Sequence, residues 1–428
     1  MNPSATGLPA PLIYNPISMD TQQTIAELHQ LRALTGDANG AQRVAWTPVW
    51  MKSREWFTSK LAGLPVEDHY DAASNRWVTL PGKSEKALLL GGHLDSVPNG
   101  GWLDGCLGVL CSLAIVREMA RKYNGRPPVT IRLVDWADEE GARFGRSLLG
   151  SSAFSGTHTI EADRGRTDKD GVRLEDALRG CGVDIDRFPE AKAEQKNAAA
   201  YIELHIEQGP VLETMGIPLG AVTGTKGVER HGITFHGQEA HSGSTPMNVR
   251  KDALAAAAKL ALEIRSIAGK HSDAVCTMGS VKTFPGIVTA VVGRCETTLD
   301  QRDLDAGVLA AMYKEAREAS QRFAGEERCT VEWSRIWNIE PIPFHPVLIG
   351  LCEEAIRETA GSTHRLPSGP LHDAAEVARC GIPAAMMFVQ SLGGISHNKI
   401  EDTREEHLRM SVEAMQLLAD KTVQWLGE

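Results

Sequence analysis

His93 and Asp95 follow an apolar stretch at 87–90 and are separated by one residue. Residues two apart in an extended segment share a face, so Asp95 can accept a hydrogen bond from the His93 imidazole and leave its other nitrogen free for a metal ion. Such a pair is more often a surface turn. Asp104 follows a glycine-rich turn and precedes an apolar helix, so its carboxylate is either a helix cap or a ligand that bridges two metal ions.

Asp138, Glu139 and Glu140 follow the β-branched segment 129–135. Three consecutive acids are usually a solvated loop. Open α/β sheets, however, place functional groups at the carboxyl ends of their strands. Neighbouring glutamates at such a place can divide the work, one binding a metal ion while the other faces the water that the metal activates.

His205 lies on the polar face of an alternating strand predicted at 201–207, and His397 follows an apolar strand predicted at 384–390. Each histidine alone is as easily explained as a solvated side chain. Together with the groups above, they bring His, Asp and Glu side chains to one sheet edge from four strand ends. This mixture of oxygen and nitrogen ligands suits Zn, Mn or Co better than Ca.

The composition restricts the possible partners and the cell compartment. With 55 acidic against 45 basic residues, the net charge of -10 argues against nucleic acid, which needs clustered cations. The eight cysteines are scattered without a C-x-x-C pair, so neither a disulfide framework nor a cysteine-rich zinc module is indicated. We find no apolar stretch of ~18 residues and no export signal at the start, and therefore expect a cytoplasmic protein that does not contact membranes.

The segments that position these side chains alternate between strand and helix. A strand at 86–91, a helix at 105–123 and a strand at 129–135 predict a β-α-β unit in a buried parallel sheet. Residues 151–199 are interpreted as a helix-poor connection. We predict an α/β protein whose first domain, 1–214 plus 335–428, has a mostly parallel sheet flanked by helices. We predict that residues 215–334 form an inserted α+β sandwich.

Six motifs occur in order along the chain: Gly92-His93-Leu94-Asp95, Asp104-Gly105, Asp138-Glu139-Glu140-Gly141, Glu203-Leu204-His205-Ile206-Glu207-Gln208-Gly209-Pro210, His241-Ser242-Gly243-Ser244-Thr245-Pro246-Met247 and Ile395-Ser396-His397. This set resembles the hydantoinase/carbamoylase-type amidohydrolases of the dinuclear-metal aminoacylase and dipeptidase superfamily. The group includes N-carbamoyl-L-amino-acid hydrolases, allantoate amidohydrolases and β-ureidopropionases. The resemblance extends from about residue 25 to 403, and the longest motif is specific to this branch.

The resemblance implies two divalent metal ions per subunit, which are Zn, Mn, Co or Ni, and a ligand set: His93 and His205 for one ion, Glu140 and His397 for the other, and Asp104 between them. It also makes Glu139 the general base and places Asp95 behind the ligands. A hydroxide bridging the two ions would attack a ureido or amide carbon, and Glu139 would pass its proton to the leaving nitrogen.

The resemblance also assigns substrate contacts. His241 would cross from the partner subunit to stabilise the oxyanion, which implies a homodimer and makes the inserted domain a dimerisation domain and lid. Arg302 would bind an α-carboxylate through its planar guanidinium, and Gln208 would line the pocket. Without the resemblance, His241 would be interpreted as a loop histidine and Arg302 as a surface arginine.

Two departures from the family pattern fall on the substrate side. Thr289 stands where the family usually has asparagine, so an amide becomes a shorter hydroxyl. After Gly369, a second expected substrate contact, Pro370 and Leu371 replace small residues. The presumed metal ligands are all retained, so we expect hydrolysis with a shifted specificity.

The predicted reaction is therefore hydrolysis of the C–N bond of a small molecule, an N-carbamoyl-L-amino acid or a close N-acyl analogue. Alternative substrates are allantoate, a β-ureido acid or, less favoured, a dipeptide. A further alternative is a non-catalytic relative that only binds a small ligand. The sequence does not decide which side chain or stereoisomer the site accepts.

Overall fold

The structure, a computed structural model, describes residues 20–428. The predicted first domain begins with residues 1–19, which lie outside the described residues, as does almost all of the segment examined for an export signal. The α-helices are α1 (Thr21–Thr35), α2 (Pro48–Ser59), α3 (Cys106–Lys122), α4 (Leu149–Ser155), α5 (Ile160–Asp163), α6 (Leu174–Gly180), α7 (Val211–Met215), α8 (Ala253–Ala268), α9 (Ala306–Glu326), α10 (Pro346–Ala360), α11 (Asp373–Arg379) and α12 (Glu405–Gly427).

The strands are β1 (Gly36–Asp37), β2 (Gly40–Ala41), β3 (Glu67–Tyr70), β4 (Arg76–Leu80), β5 (Ser84–His93), β6 (Val129–Trp136), β7 (Ala198–Ile206), β8 (Leu219–Thr225), β9 (Gly227–His236), β10 (Ala240–His241), β11 (Val275–Thr277), β12 (Val281–Phe284), β13 (Ala290–Val291), β14 (Arg294–Asp303), β15 (Thr330–Ile339), β16 (Ile342–Pro343), β17 (Arg365–Ser368) and β18 (Ala384–Val389). Short 3-10 helices cover Ile185–Gln195, Met247–Val249 and Leu392–Gly394.

The larger sheet has the strand order β16-β8-β18-β7-β5-β6-β4-β3, and β17 pairs with β8. Its centre, β18-β7-β5-β6, is parallel, whereas β4 and β8 join it antiparallel on either side. The central strands are buried almost throughout, because helices such as α3 and α12 pack on the sheet. The prediction of an α/β fold is confirmed, and the four central strands are the ones that pair in parallel with one another.

The smaller sheet, β11-β14-β9-β15 with β12 beside β14, is antiparallel and has its own core. Helices α8 and α9 contribute the alanine-rich side of that core, and β9 and β14 contribute Ile233, Phe235 and Leu299. The inserted α+β unit is therefore present as a sheet with its own hydrophobic cluster.

The sheets divide the chain at different positions from those predicted. Strand β8 lies beyond residue 214 but pairs with β18 in the larger sheet. Strand β15 continues the smaller sheet to Ile339, and β16 then returns to the larger one. The insertion therefore spans about 226–341 rather than 215–334. Turns rich in glycine made β8 resemble the strands that follow it.

Residues 151–199 contain more helix than expected. They include α4, α5, α6 and the 3-10 helix Ile185–Gln195, which pack around a separate cluster with Phe144, Leu149 and Phe188. These helices are short, so their apolar periodicity is too brief to recognise in the sequence. Among residues 20–428, none of the helices has the length and apolar character needed to cross a membrane.

Candidate metal centre

His93 is the last residue of β5 and is 1% exposed. Its Nδ1 lies 3.2 Å from the carbonyl oxygen of Asp95, and its Nε2 points toward Asp104, 3.7 Å from Oδ1. The hydrogen bond expected to the Asp95 carboxylate is therefore made to the Asp95 backbone, with carboxylate Oδ1 at 3.6 Å. In either case Nδ1 is engaged and Nε2 is directed into the site.

The Asp95 carboxylate instead organises the acidic turn. Its two oxygens accept hydrogen bonds from the backbone amides of Glu139 and Glu140, each at 3.2 Å. Asp138 has a positive φ of 57°, which turns the chain so that both amides face the same carboxylate. Asp95 thus positions the general base and one ligand expected from the sequence.

Asp104 lies between two groups of possible ligands. Oδ1 is 3.1 Å from Nε2 of His205 at the end of β7, on the same side as His93. Oδ2 is 3.4 Å from Nε2 of His397, which is in turn 3.2 Å from Glu140. The ligand atoms of His93, Asp104 and His205 lie within 4.8 Å of one another, and so do those of Asp104, Glu140 and His397. Asp104 belongs to both groups.

Several observations show that these side chains fit metal ions. The buried Nε2 atoms of His93 and His205 and Oε1 of Glu140 make no hydrogen bond within residues 20–428. Polar atoms left unpaired in a buried site carry a penalty unless a ligand satisfies them. Within residues 20–428 the carboxylates of Asp104, Glu139 and Glu140 have only histidines, and no Lys or Arg, as ion-pair partners.

The pKa values of Glu139 and Asp104 reflect the burial and the charges of this site. Burial, together with the negative charges of Asp373 and Glu140, raises the pKa of Glu139 well above its ordinary value. Burial opposes ionisation of Asp104 as well, but the imidazole groups of His205 and His397 beside its carboxylate hold its pKa well below the usual range. Asp104 is thus an anion at neutral pH, as a bridging ligand must be.

A third group, made by Glu203, His205 and His372, also has ligand atoms close together. It shares His205, whose Nδ1 already faces the Ile206 carbonyl oxygen at 2.9 Å and whose Nε2 faces Asp104. The rings of His205 and His372 are 4.4 Å apart. Burial and the nearby His205 lower the pKa of His372 well below its usual value. His372 is therefore a neutral side chain that packs against the ring of His205.

Sequence reasoning missed Glu401 and Ser396. The Glu401 carboxylate is buried and accepts hydrogen bonds from the Leu103 and Asp104 amides at 3.2 and 3.1 Å. Ser396 donates to Glu401 at 2.9 Å and contacts Oδ2 of Asp104 at 3.2 Å. The sequence offered one indication of Glu401, because this acidic residue follows the predicted ligand His397 by only four positions.

A cavity of about 280 Å³ opens from the metal-ligand groups toward the inserted unit. Gln208, expected in the pocket, lines it and donates to Asp104 at 3.0 Å. Gly369 and Arg302 also line it, and Nη1 of Arg302 donates to the Gly369 carbonyl oxygen at 3.3 Å. Arg230, which the sequence analysis did not single out, faces the same cavity.

His241 and Thr289 do not join this group within one chain. Both are exposed and lie outside the residues that line the cavity. They neighbour each other, because β10 pairs with β13 and the Ser242 amide donates to the Thr289 carbonyl oxygen at 2.9 Å. Nδ1 of His241 accepts from the Gly243 and Ser244 amides, which leaves Nε2 directed away from its own loop.

Fold and site together define a hydrolase with clustered metal ligands at the carboxyl edge of an α/β sheet. Residues 89–421 match the sequence profile of Peptidase family M20/M25/M40, and the chain belongs to this family. The N-carbamoyl-L-amino acid amidohydrolase of Geobacillus stearothermophilus is 34% identical over 383 residues, which cover 88% of this chain and 92% of that protein. The allantoate amidohydrolase of Escherichia coli is 30% identical over 384 residues, covering 89% and 92%.

Among solved structures, a hydantoinase/carbamoylase family amidase from Burkholderia multivorans superposes with a TM-score of 0.84 at 30% identity, covering 94% of this chain and 97% of that chain. The resemblance stated from the motifs is thereby confirmed. The prediction that the chain is a hydrolase of C–N bonds is confirmed at the level of this family. The family consists of metal-dependent hydrolases, and the ligand groups around Asp104 agree with that property.

Proposed function

We propose that this protein hydrolyses the C–N bond of the ureido group of an N-carbamoyl-L-amino acid. The observation that carries the proposal is the position of Asp104, whose two carboxylate oxygens face separate ligand groups at the mouth of a small cavity. The size of the cavity suits a small molecule, and the arginines opposite the ligands suit a carboxylate.

Two metal ions would be held by His93 and His205 on one side, by Glu140 and His397 on the other, and by Asp104 between them. Bound there, divalent ions supply a water molecule of lowered pKa and polarise the scissile carbonyl group. Glu139 accepts a proton from the attacking water and delivers it to the leaving nitrogen. Its carboxylate is 3.6 Å from Nε2 of His93, on the cavity side of the acidic turn.

A homodimer is part of the proposal, because His241 is exposed and lies outside the cavity of its own chain. Exposed apolar side chains on the inserted unit, such as Val281, Val288 and Ile336, offer a surface for a second copy. In such a dimer His241 would enter the partner's cavity and stabilise the oxyanion.

Mixing two inactive variants tests this arrangement. Subunits carrying Glu139→Gln and subunits carrying His241→Ala are unfolded, mixed and refolded together. If His241 serves the partner, hybrid dimers contain one complete site, and roughly a quarter of wild-type activity returns for random pairing. No recovery in a mixture shown to contain hybrid dimers would exclude the crossing of His241.

Substrate identity is tested by ammonia release from N-carbamoyl-L-amino acids, allantoate and a β-ureido acid, each with added Mn, Co, Ni or Zn. We expect the highest kcat/KM for an N-carbamoyl-L-amino acid. Allantoate is the second candidate, since the Escherichia coli relative is named for it and also covers most of the chain. A protein that binds none of these metals and turns over none of these compounds contradicts both.

A further inference from the structure

The inserted sheet presents a row of side chains to the cavity. Arg230 on β9 stands directly opposite Asp300 on β14 and Trp337 on β15. Val228 pairs with Arg302 one step along the same face. Side chains directly opposite one another in neighbouring antiparallel strands point to the same side of a sheet. The two arginines therefore face the metal-ligand groups together from the far wall of the cavity.

Asp300 lies between the two guanidinium groups. Its Oδ2 accepts from Nε of Arg230 at 2.7 Å, and its Oδ1 accepts from Nε of Arg302 at 2.8 Å. The three side chains together carry one net positive charge. One carboxylate thus fixes the orientation of both arginines without neutralising them.

The two arginines differ in how many of their guanidinium nitrogens already donate hydrogen bonds. Arg302 uses Nε and Nη2 on Asp300 and Nη1 on the Gly369 carbonyl oxygen. Arg230 uses only Nε, and within residues 20–428 neither of its terminal nitrogens donates a hydrogen bond. Its guanidinium carbon lies 5.2 Å from the ring centroid of Trp337, which supports the planar group from one side. A preorganised guanidinium with two free donors matches a carboxylate in a bidentate pair.

We propose that Arg230 is a specificity residue that binds a second carboxylate, on the side chain of the substrate. The inference rests on the proposed function and narrows its substrate class to N-carbamoyl amino acids with an acidic side chain. Arg302 receives the α-carboxylate, with Nη1 exchanging the Gly369 carbonyl for the ligand. Arg230, one strand away, receives the side-chain carboxylate, and the ureido group then faces the metal ligands.

The test compares N-carbamoyl-L-aspartate with N-carbamoyl-L-asparagine, which have nearly the same shape and differ in charge. Wild-type enzyme is expected to prefer the acid by about 10- to 100-fold in kcat/KM, since a hydrogen-bonded charge pair contributes about 1.5–3 kcal/mol. In Arg230→Met the preference disappears, because KM rises for the acid by a much larger factor than for the amide. N-carbamoyl-L-glutamate and N-carbamoyl-L-glutamine form a second pair, in case the longer side chain reaches Arg230 better.

Arg335→Met is the matched control. Arg335 lies on β15 next to β9, but it pairs with His231 and does not line the cavity, so the variant keeps the acid preference. Arg230 is 46% exposed, and its replacement is expected to leave the melting temperature nearly unchanged. The inference is overturned if wild type does not discriminate within either pair, or if Arg230→Met lowers kcat/KM equally for acid and amide.

Failure of the proposed function gives a different result. In that case no N-carbamoyl compound is hydrolysed, whatever its charge and whichever metal is added. Calorimetry with the free amino acids then decides the inference separately. Tighter binding of L-aspartate than of L-asparagine, lost in Arg230→Met, supports a carboxylate site at Arg230. Equal binding of the two amino acids, or binding of neither, contradicts it.

Discussion

The backbone amide of Asp104 donates a hydrogen bond to the carboxylate of Glu401 at 3.1 Å, although 297 positions separate the two residues. Glu401 also holds Ser396, which contacts the side chain of the same aspartate. The loop that carries Asp104 is therefore fixed by the segment that follows His397. This link joins the segments that follow the central strands β5 and β18 at the residue that both ligand groups share.

Removing this support is expected to weaken metal binding. In Glu401→Ala the Leu103 and Asp104 amides lose their buried acceptor, so the carboxylate of Asp104 is no longer held in place. Loss of such a supporting group typically lowers metal affinity by about 10- to 100-fold. Competition with a fluorescent chelator measures the change. Glu405→Ala, at the exposed start of α12, is the control, and equal affinities in the two variants would contradict the role of Glu401.

Substitutions of the neighbouring residues Glu139 and Glu140 are predicted to have different effects. Glu139→Gln should lower kcat by about 10²- to 10⁴-fold with the metal content unchanged, because a general base is lost but no ligand is. Glu140→Gln should instead lower metal content, since Glu140 faces His397 at 3.2 Å. Metal analysis of both purified variants, beside their kinetics, separates the roles. Substantial turnover by metal-loaded Glu139→Gln would rule it out as the base.

Chelation should destabilise the protein as well as inactivate it. Without cations, the unpaired imidazole nitrogens and the excess of carboxylates remain uncompensated in a buried site. A ligand present at 100 times its dissociation constant stabilises the folded state by about 2.7 kcal/mol. We therefore expect a lower melting temperature in a chelator and its recovery, with activity, on adding Mn, Co, Ni or Zn. An unchanged melting temperature after proven metal removal would argue against this coupling.

The sequence indicated the candidate ligands because their signals are local. Each ligand stands at or just after a strand or at a helix start, and parallel strands bring their carboxyl ends to one edge. Arg230 could not be found in this way. Its position opposite Asp300 and Trp337 depends on the registers of β9 with β14 and β15, and nothing in a single strand specifies its register.

The difference between local signals and strand pairing also explains why the predicted bounds of the inserted unit differ from those in the structure. Strand β8 contains glycine, as does β9, the first strand of the insertion. Only the pairing of β8 with β18 assigns it to the larger sheet. The sequence predicted that the Asp95 carboxylate accepts a hydrogen bond from His93, but Nδ1 of His93 faces the Asp95 carbonyl oxygen instead. The Asp95 carboxylate turned out to serve the amides of Glu139 and Glu140, because those residues are close to it in space and distant in sequence.

Asp163 should contribute to the loss of stability in acid. Burial opposes its ionisation, but hydrogen bonds from His158, Arg166 and Arg146 hold its pKa below the ordinary value of 3.8. A depressed native pKa gives stability that is present above the unfolded pKa and is lost as the pH falls through the native one. Wild-type stability is therefore expected to decline below about pH 4 partly through this group.

Denaturant unfolding of Asp163→Asn across this pH range measures that contribution. Near neutral pH the variant should be less stable by about 2–4 kcal/mol, because His158 and the two arginines lose a buried anion. Below pH 4 the difference from wild type should shrink, since Asp163 then binds a proton in the unfolded chain before it does so in the native state. A difference that stays constant with pH would show that Asp163 acts through packing alone.

Gly105 is predicted to be essential for the position of His93. It has a φ of 66° just before α3, and a Cβ added there would lie 2.3 Å from Nδ1 of His93 and 2.4 Å from its carbonyl oxygen. Gly105→Ala should therefore displace the imidazole and weaken metal binding and activity together. Gly171→Ala is the matched control, because Gly171 also has a positive φ, of 80°, but no atom lies within 4 Å of the added Cβ. That variant should lose only about 1–2 kcal/mol of stability from backbone strain and keep its metal. Metal content and unfolding free energies of the two variants, measured together, distinguish displacement of His93 from strain, and equal retention of metal would contradict the clash.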